Sequence, residues 1–336
     1  MRIGVLATVS RLGGGVYQYT QSLVKSLLEY TNYDFLIIRN SAYIIPGLSR
    51  FHNNHFVEIK IRPSDILLKI KRALYISFPA SREFLDVLGD YRILREKYNF
   101  DFIISPIISL VPIYLGCPYI VTIHDFQHCY YPEFFTLKER LLRNYVYKHA
   151  ARNASLIICE SNFVKDDIVK FLNVPQERIR VIVSPPALNL YVKNMHDEEC
   201  KKVKNKYNLR GDFLFYPAQF WYHKNHLNLV EAINFLKEKY GERITLVLVG
   251  SKKNNFENVF KKVKDLGIEK QIRWLGYVPE GDMPYFYKLA TALVMPTLFE
   301  SVSMPIWEAF HLGCPVVSSN VCALPEQVGD AGLLFD

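Results

Sequence analysis

Two glutamates, Glu300 and Glu308, stand eight residues apart in the stretch Phe299-Glu300-Ser301-Val302-Ser303-Met304-Pro305-Ile306-Trp307-Glu308-Ala309. A helix is predicted to begin in the middle of this stretch. Ser303 suits an N-cap, and Pro305 is tolerated in a first turn, where N–H groups lack intrahelical partners anyway. Glu300 then lies in the loop before the helix and Glu308 about one turn inside it. The helix start offers N–H donors and a partial positive charge, a seat for a diphosphate, with the Ser301–Met304 amides facing it. A carboxylate pressed against phosphate would be repelled. The sensible work for the two acids is to accept hydrogen bonds from hydroxyls on either side of the anion, a sugar for Glu300 and a ribose for Glu308. Taken alone, two glutamates at this spacing usually mean solvated helix positions.

A second constellation, Pro217-Ala218-Gln219-Phe220-Trp221-Tyr222-His223-Lys224-Asn225-His226, follows an apolar run and leads into a helical pattern. Lys224 stands there at a strand end and just before a helix, where an ammonium neutralises a departing phosphate. Its bland alternative is a surface lysine on a loop. Gly13-Gly14-Gly15-Val16 opens the first helix after the first strand, and His124-Asp125 ends another strand. The glycines lack the G-x-G-x-x-G spacing of a dinucleotide fingerprint, which argues against NAD. Glu160-Ser161 reads as the cap of the helix that follows.

These residues must be held by the elements around them. The dominant rhythm is a short β-branched run, a turn and a longer amphipathic stretch, the signature of parallel sheets with crossover helices. Strands are predicted at Arg2–Ala7, Asp34–Ile38, Asp101–Ser105, Tyr119–Ile123 and Leu156–Cys159, with helices over Val16–Leu28, Leu137–Arg152 and Asn162–Leu172. A second series has strands at Phe213–Tyr216, Ile244–Val249, Ile272–Leu275, Ala292–Met295 and Pro315–Ser318. Its helices are Leu227–Lys239, Phe256–Leu266, Met283–Leu289 and Pro305–Leu312. The boundary between the two α/β units is expected near Pro186–Asn194. Two basic helical patterns, Asp65–Tyr75 and Phe134–Arg152, read either as helices with a solvated basic face or as membrane or acceptor docking faces.

With both constellations in view, the chain resembles the retaining glycosyltransferases of group 1, family 4, whose second lobe carries E-x7-E and an arginine and lysine five apart. Glu300, Glu308 and Lys224 match that pattern; Gln219 stands at the arginine position, so it offers a hydrogen bond without charge. Ser301-Val302-Ser303 replaces the family's glycine-containing run, leaving the loop less freedom in φ. Leu248-Val249-Gly250-Ser251 and Trp274-Leu275-Gly276-Tyr277-Val278-Pro279 resemble the strand-end turns that hold base and diphosphate. The resemblance is in good register from about Phe213 to Asp336 and looser before it. It implies an α/β fold of the GT-B type: two Rossmann-like doubly wound lobes facing a central cleft. Residues 1–188 would form the acceptor-binding lobe and 189–336 the nucleotide-sugar-binding lobe. The C-terminal crossover helices usual in the family are expected to be missing after Leu334-Phe335-Asp336.

The resemblance further implies a catalytic set of His124, Glu300 and Lys224. The donor would be held by Gly14, Gly15, Gln219, Lys224, Gly250, Tyr277, Ser301, Val302, Ser303 and Glu308. The expected reaction moves a hexose from a GDP- or UDP-linked donor to an acceptor hydroxyl with retention, in cell-surface polysaccharide or glycolipid synthesis. No D-x-D occurs, which suits a site without metal, and no cofactor is expected beyond the nucleoside-diphosphate sugar. A nucleotide-sugar epimerase of the same fold and a non-catalytic nucleotide-sugar-binding protein are the competing readings.

Composition narrows the partners. Lys+Arg exceed Asp+Glu to give a formal net charge of +8, so the surface attracts anions. The six scattered cysteines form no C-x-x-C and fit reduced thiols. No secretory leader or transmembrane run is apparent, so a cytoplasmic protein is expected, with peripheral contact to an anionic membrane and a glycan or lipid-linked acceptor. No motif supports nucleic-acid binding.

Overall fold

Parallel pairing joins every strand in both sheets of the chain. The computed structural model describes residues 1–9, 14–40, 56–61, 90–184 and 195–336. The chain divides into two compact units, Met1–Glu160 with Val164–Val183, and Ser161–Phe163 with Ser184–Asp336. The expected boundary near Pro186–Asn194, the division at 188/189, Gly13 and the Asp65–Tyr75 pattern lie outside the described residues.

The first sheet contains β1 (Arg2–Ala7), β2 (Asp34–Asn40), β3 (Phe56–Ile61), β4 (Phe102–Ser105), β5 (Tyr119–Thr122), β6 (Leu156–Cys159) and β7 (Ile179–Val181). Their order is β3-β2-β1-β4-β5-β6-β7. The second sheet contains β8 (Phe213–Pro217), β9 (Thr245–Val249), β10 (Ile272–Trp274), β11 (Ala292–Met295), β12 (Val316–Ser319) and β13 (Leu333–Phe335), in the order β10-β9-β8-β11-β12-β13. Each is the doubly wound arrangement the sequence rhythm predicts. Each has a point beside its first strand where the direction of winding reverses, the place where open α/β sheets bind ligands at strand carboxyl ends.

The apolar runs become strands because helices cover both sheet faces, so side chains on both sides of the pleat are buried. Leu246, Val247, Leu248 and Val249 of β9 are all buried, as are Leu293, Val294 and Met295 of β11. They join Phe215, Ile233, Phe286 and Ile306 in one continuous core. In the first unit Ile3, Val5 and Ala7 of β1 pack with Phe35 and Ile37 of β2 and with Val24 of helix Gly15–Tyr30. At roughly 1.5–3 kcal/mol for each large aliphatic buried, these cores are what hold the strand ends in place.

Strands β3, β7 and β13 were not expected. β7 and β13 are three residues each, and β3 alternates apolar residues with Glu58 and Lys60, so none carries the apolar run that marks a buried parallel strand. Helix Leu137–Asn153 begins where the pattern Leu137–Arg152 puts it, while the longer basic pattern from Phe134 is broken by a separate turn at Pro132–Phe134. The reason is a capping box. The Glu139 carboxylate accepts from Thr136 N at 2.8 Å while Thr136 Oγ1 accepts from Glu139 N at 3.3 Å.

Candidate functional site

In the second unit the loops leaving β8 and β11, the two strands at the winding reversal, are stitched together. The His223 carbonyl accepts from Thr297 Oγ1 at 3.0 Å and from Leu298 N at 2.8 Å, and Asn225 Nδ2 donates to the Pro296 carbonyl at 2.9 Å. Tyr216, buried in β8, donates its hydroxyl to the Lys224 carbonyl at 2.8 Å. Asn225 takes a left-handed conformation, φ 56°, to turn this short coil into helix His226–Tyr240. The stitching brings Lys224 Nζ into an ion pair with Glu300 Oε2, although the two residues are 76 positions apart. Both side chains are mostly buried, 19% and 15% exposed, so the pair is screened far less than a surface one. Burial, helped by the Lys224 charge, pulls the His223 imidazole down to about 3, and burial likewise pulls His226 down to about 3. Both imidazoles are neutral near pH 7, leaving Lys224 as the cation of this coil.

Glu300 precedes helix Met304–Leu312 and Glu308 lies within it, as expected. Their environments differ. Glu308 is buried and accepts the Tyr287 hydroxyl; burial pushes its carboxyl up to about 7, with the Tyr287 bond giving partial relief. Ser303 occupies the N-cap position, but its side chain makes no capping bond and its buried hydroxyl has no protein partner. Ser303 is instead held by Gln327, which accepts from Ser303 N at 2.8 Å and donates to the Ser303 carbonyl at 2.6 Å. The Ser303 amide, expected to face an anion, is therefore committed to Gln327. Ser301 and Val302 remain half-buried in the loop ahead of the helix.

Gln219 directs its carboxamide oxygen to the Trp221 indole N–H at 3.0 Å. Gly250 has φ 149°, and an added Cβ would collide with the Ala218 carbonyl, so only glycine lets the ends of β8 and β9 approach this closely. Its N–H donates to Gly276 at 2.8 Å and its carbonyl accepts from Trp274 Nε1 at 2.9 Å, which locks the turn after β10. Tyr277 in that turn is 76% exposed.

In the first unit His124 follows β5. Its Nδ1 is 2.6 Å from Glu160 Oε2 and its Nε2 2.9 Å from the Pro106 carbonyl. A carboxylate and a carbonyl both accept, so both ring nitrogens act as donors, the bonding pattern of an imidazolium. Burial alone would lower this histidine; the Glu160 bond and charge, with Pro106, outweigh it and raise the imidazole above its ordinary value. Glu160, read from sequence as a helix cap, is thus the partner of His124. The sign that could have revealed it is the adjacency of β5 and β6, whose ends carry the two residues. Gly14, at φ 61°, opens helix Gly15–Tyr30 with Gly15 exposed beside it. Tyr19 of that helix bonds Thr122 at 3.0 Å and sets its ring edge-on to His124, centroids 5.0 Å apart. Among the described residues no three His, Cys, Asp or Glu side chains gather as a metal site would require.

Comparison with known proteins gives two family matches. A model described as glycosyl transferases group 1 matches residues 197–336, and one described as Glycosyltransferase Family 4 matches residues 13–185. The Escherichia coli O-antigen chain mannosyltransferase B is 34% identical over 221 residues, 65% of this chain and 57% of that protein. The Salmonella typhimurium O-antigen chain mannosyltransferase RfbU is 26% identical over 213 residues, 63% of this chain and 55% of that one. The matched region thus spans a little over half of either relative. Among solved structures, Anabaena HepE in complex with UDP and glucose superposes with a TM-score of 0.72 at 18% identity, covering 99% of this chain and 85% of that one. That likeness speaks to the GT-B fold.

Proposed function

Because the chain belongs to the group 1 glycosyltransferases, with family 4 as its first part, we propose that it moves a hexose from a nucleoside-diphosphate sugar to an acceptor hydroxyl with retention, in the assembly of a cell-surface polysaccharide or glycolipid. The observation that carries this reading is the Lys224–Glu300 pair at the winding reversal of the second sheet, ahead of helix Met304–Leu312. Departure of the nucleoside diphosphate builds negative charge on the phosphate, and an ammonium already fixed there stabilises it without reorganising. Lys224 takes the part that a divalent cation plays in metal-dependent transferases. Glu300 shares its carboxylate between Lys224 and a sugar hydroxyl, and Glu308 accepts from the ribose. His124, whose two N–H groups are taken by Glu160 and the Pro106 carbonyl, acts as a fixed positive charge of the first unit rather than as a base. The two mannosyltransferase relatives support mannose as the sugar.

A membrane-borne acceptor is supported by helix Leu137–Asn153. Leu137 is 68% exposed, Leu141 61% and Leu142 41%, and Lys138, Lys148 and Arg152 are exposed with them. Exposed leucines among cations suit the interface of an anionic bilayer. Among the described residues, no helix is long and apolar enough to cross a membrane. We expect the chain to sediment with phosphatidylglycerol vesicles and not with phosphatidylcholine ones. Leu141→Asp with Leu142→Asp should abolish that; vesicle binding that survives both changes removes the docking role.

The reaction itself is tested by incubating the protein with GDP-mannose and a polyprenyl-diphosphate-linked glycan. The expected result is GDP release matched by a mannosylated acceptor with the donor's anomeric configuration. A nucleotide sugar epimerised without acceptor, or no product from any GDP- or UDP-sugar, contradicts the proposal.

A further inference from the structure

We propose that Lys253 supplies the second cationic contact to the donor diphosphate, replacing the charge lost where Gln219 stands, with Trp221 as its platform. This rests on the nucleotide-sugar reading of the same site. Three bonds seam the loop after β9 to the loop after β8. Phe220 N donates to the Ser251 carbonyl at 3.2 Å, Asn255 N to the Phe220 carbonyl at 3.0 Å, and Tyr222 N to Asn254 Oδ1 at 3.2 Å. Lys253 lies across this seam with Nζ 4.9 Å from the centroid of the Trp221 ring. The indole of Trp221 in turn holds the Gln219 carboxamide. Gln219 and Trp221, on the coil that ends at Lys224, and Lys253, from the loop after β9, therefore form one contiguous row.

Charge accounting gives the row its meaning. A glutamine whose oxygen is already engaged offers an anion only neutral N–H donors, and charge-assisted bonds are roughly twice as strong. Lys253 is half-buried, yet among the described residues it makes no ion pair; its contact is a ring face, which orients an ammonium without neutralising it. Its flexible four-carbon stem lets the charge swing from the indole toward an anion bound near Gln219. The adjacent Lys252 lies over different rings, 4.3 Å from Phe256 and 5.3 Å from Trp274, and is the natural control.

The test is calorimetric titration of the full chain with UDP, GDP and the matching monophosphates. Lys253→Met keeps the apolar stem over Trp221 and removes the charge. It should weaken the better-binding diphosphate about tenfold, and the monophosphate much less, while Lys252→Met stays within about twofold of the parent. Adding Gln219→Arg to Lys253→Met should recover most of the loss. An unchanged diphosphate affinity in Lys253→Met, an equal loss in Lys252→Met, or no recovery with Gln219→Arg overturns the inference alone. Failure of the unsubstituted chain to bind either diphosphate overturns the donor-site reading and this inference with it.

Discussion

The second sheet repeats the order of the first six strands of the first, yet their polar pairs sit at different places along it. In the second unit the pair spans the winding reversal itself: Lys224 follows β8 and Glu300 follows β11, with a helix start next in the chain. In the first unit the pair is one strand further out, His124 after β5 and Glu160 after β6, with only the Pro106 carbonyl reaching in from β4. The same topology is thus fitted with an ammonium that can be shared with an anion in one unit and with an imidazolium whose donors are both occupied in the other. A doubly wound sheet sets where a ligand goes; the side chains on its strand ends set what charge meets it there.

The contrast is sharpest at carboxylates, where the environment decides ionisation. Glu308 has its carboxyl raised from an ordinary 4.5 to about 7. Between those values the folded chain holds a proton that the unfolded chain has released, so stability from this group falls as pH rises and levels off above about 7. Urea unfolding at pH 5 and pH 8 should show a loss on the order of 3 kcal/mol from Glu308, and Glu308→Gln should lack it. Equal pH dependence in both proteins would show that Glu308 ionises normally despite its burial.

The smaller effect lies in the first unit. Glu160→Gln leaves the burial of His124 and removes the charge that offsets it, so the imidazole should titrate lower than in the parent, read from its Cε1–H resonance. The pH dependence has the same sign as that of Glu308, because both groups bind their proton more tightly in the folded chain. A raised histidine contributes stability that is full below its unfolded value, 6.5, and is lost as pH rises through the folded value, so the variant should be weakened on the acid side. A His124 titration indifferent to Glu160 would break the comparison between the two units.

Much of this was legible in the residues. Arg2–Ala7 and Ala292–Met295 are apolar runs with no other home than a buried parallel strand, and Lys224 and Glu300 were expected to share one anion before the fold put them in contact. What escaped was set by neighbours distant in sequence. β13 is a strand because β12 offers it a ladder, and Glu160 looks like a cap until β5 and β6 lie side by side. Gln327 holds Ser303 from 24 residues away, and nothing local to Ser303 signals that its amide and carbonyl are already taken.

The central claim is that the Lys224–Glu300 pair serves a ligand rather than only the fold, and exchanging its charges separates the two. The double variant Lys224→Glu with Glu300→Lys keeps one ion pair in place and leaves neither charge buried alone, so its melting temperature should stay within a few degrees of the parent. Its sugar transfer and nucleoside-diphosphate affinity should both be lost, because the anion would now meet a carboxylate where the ammonium stood. A charge-exchanged protein that still binds diphosphate and transfers sugar at the parent's rate would contradict the account.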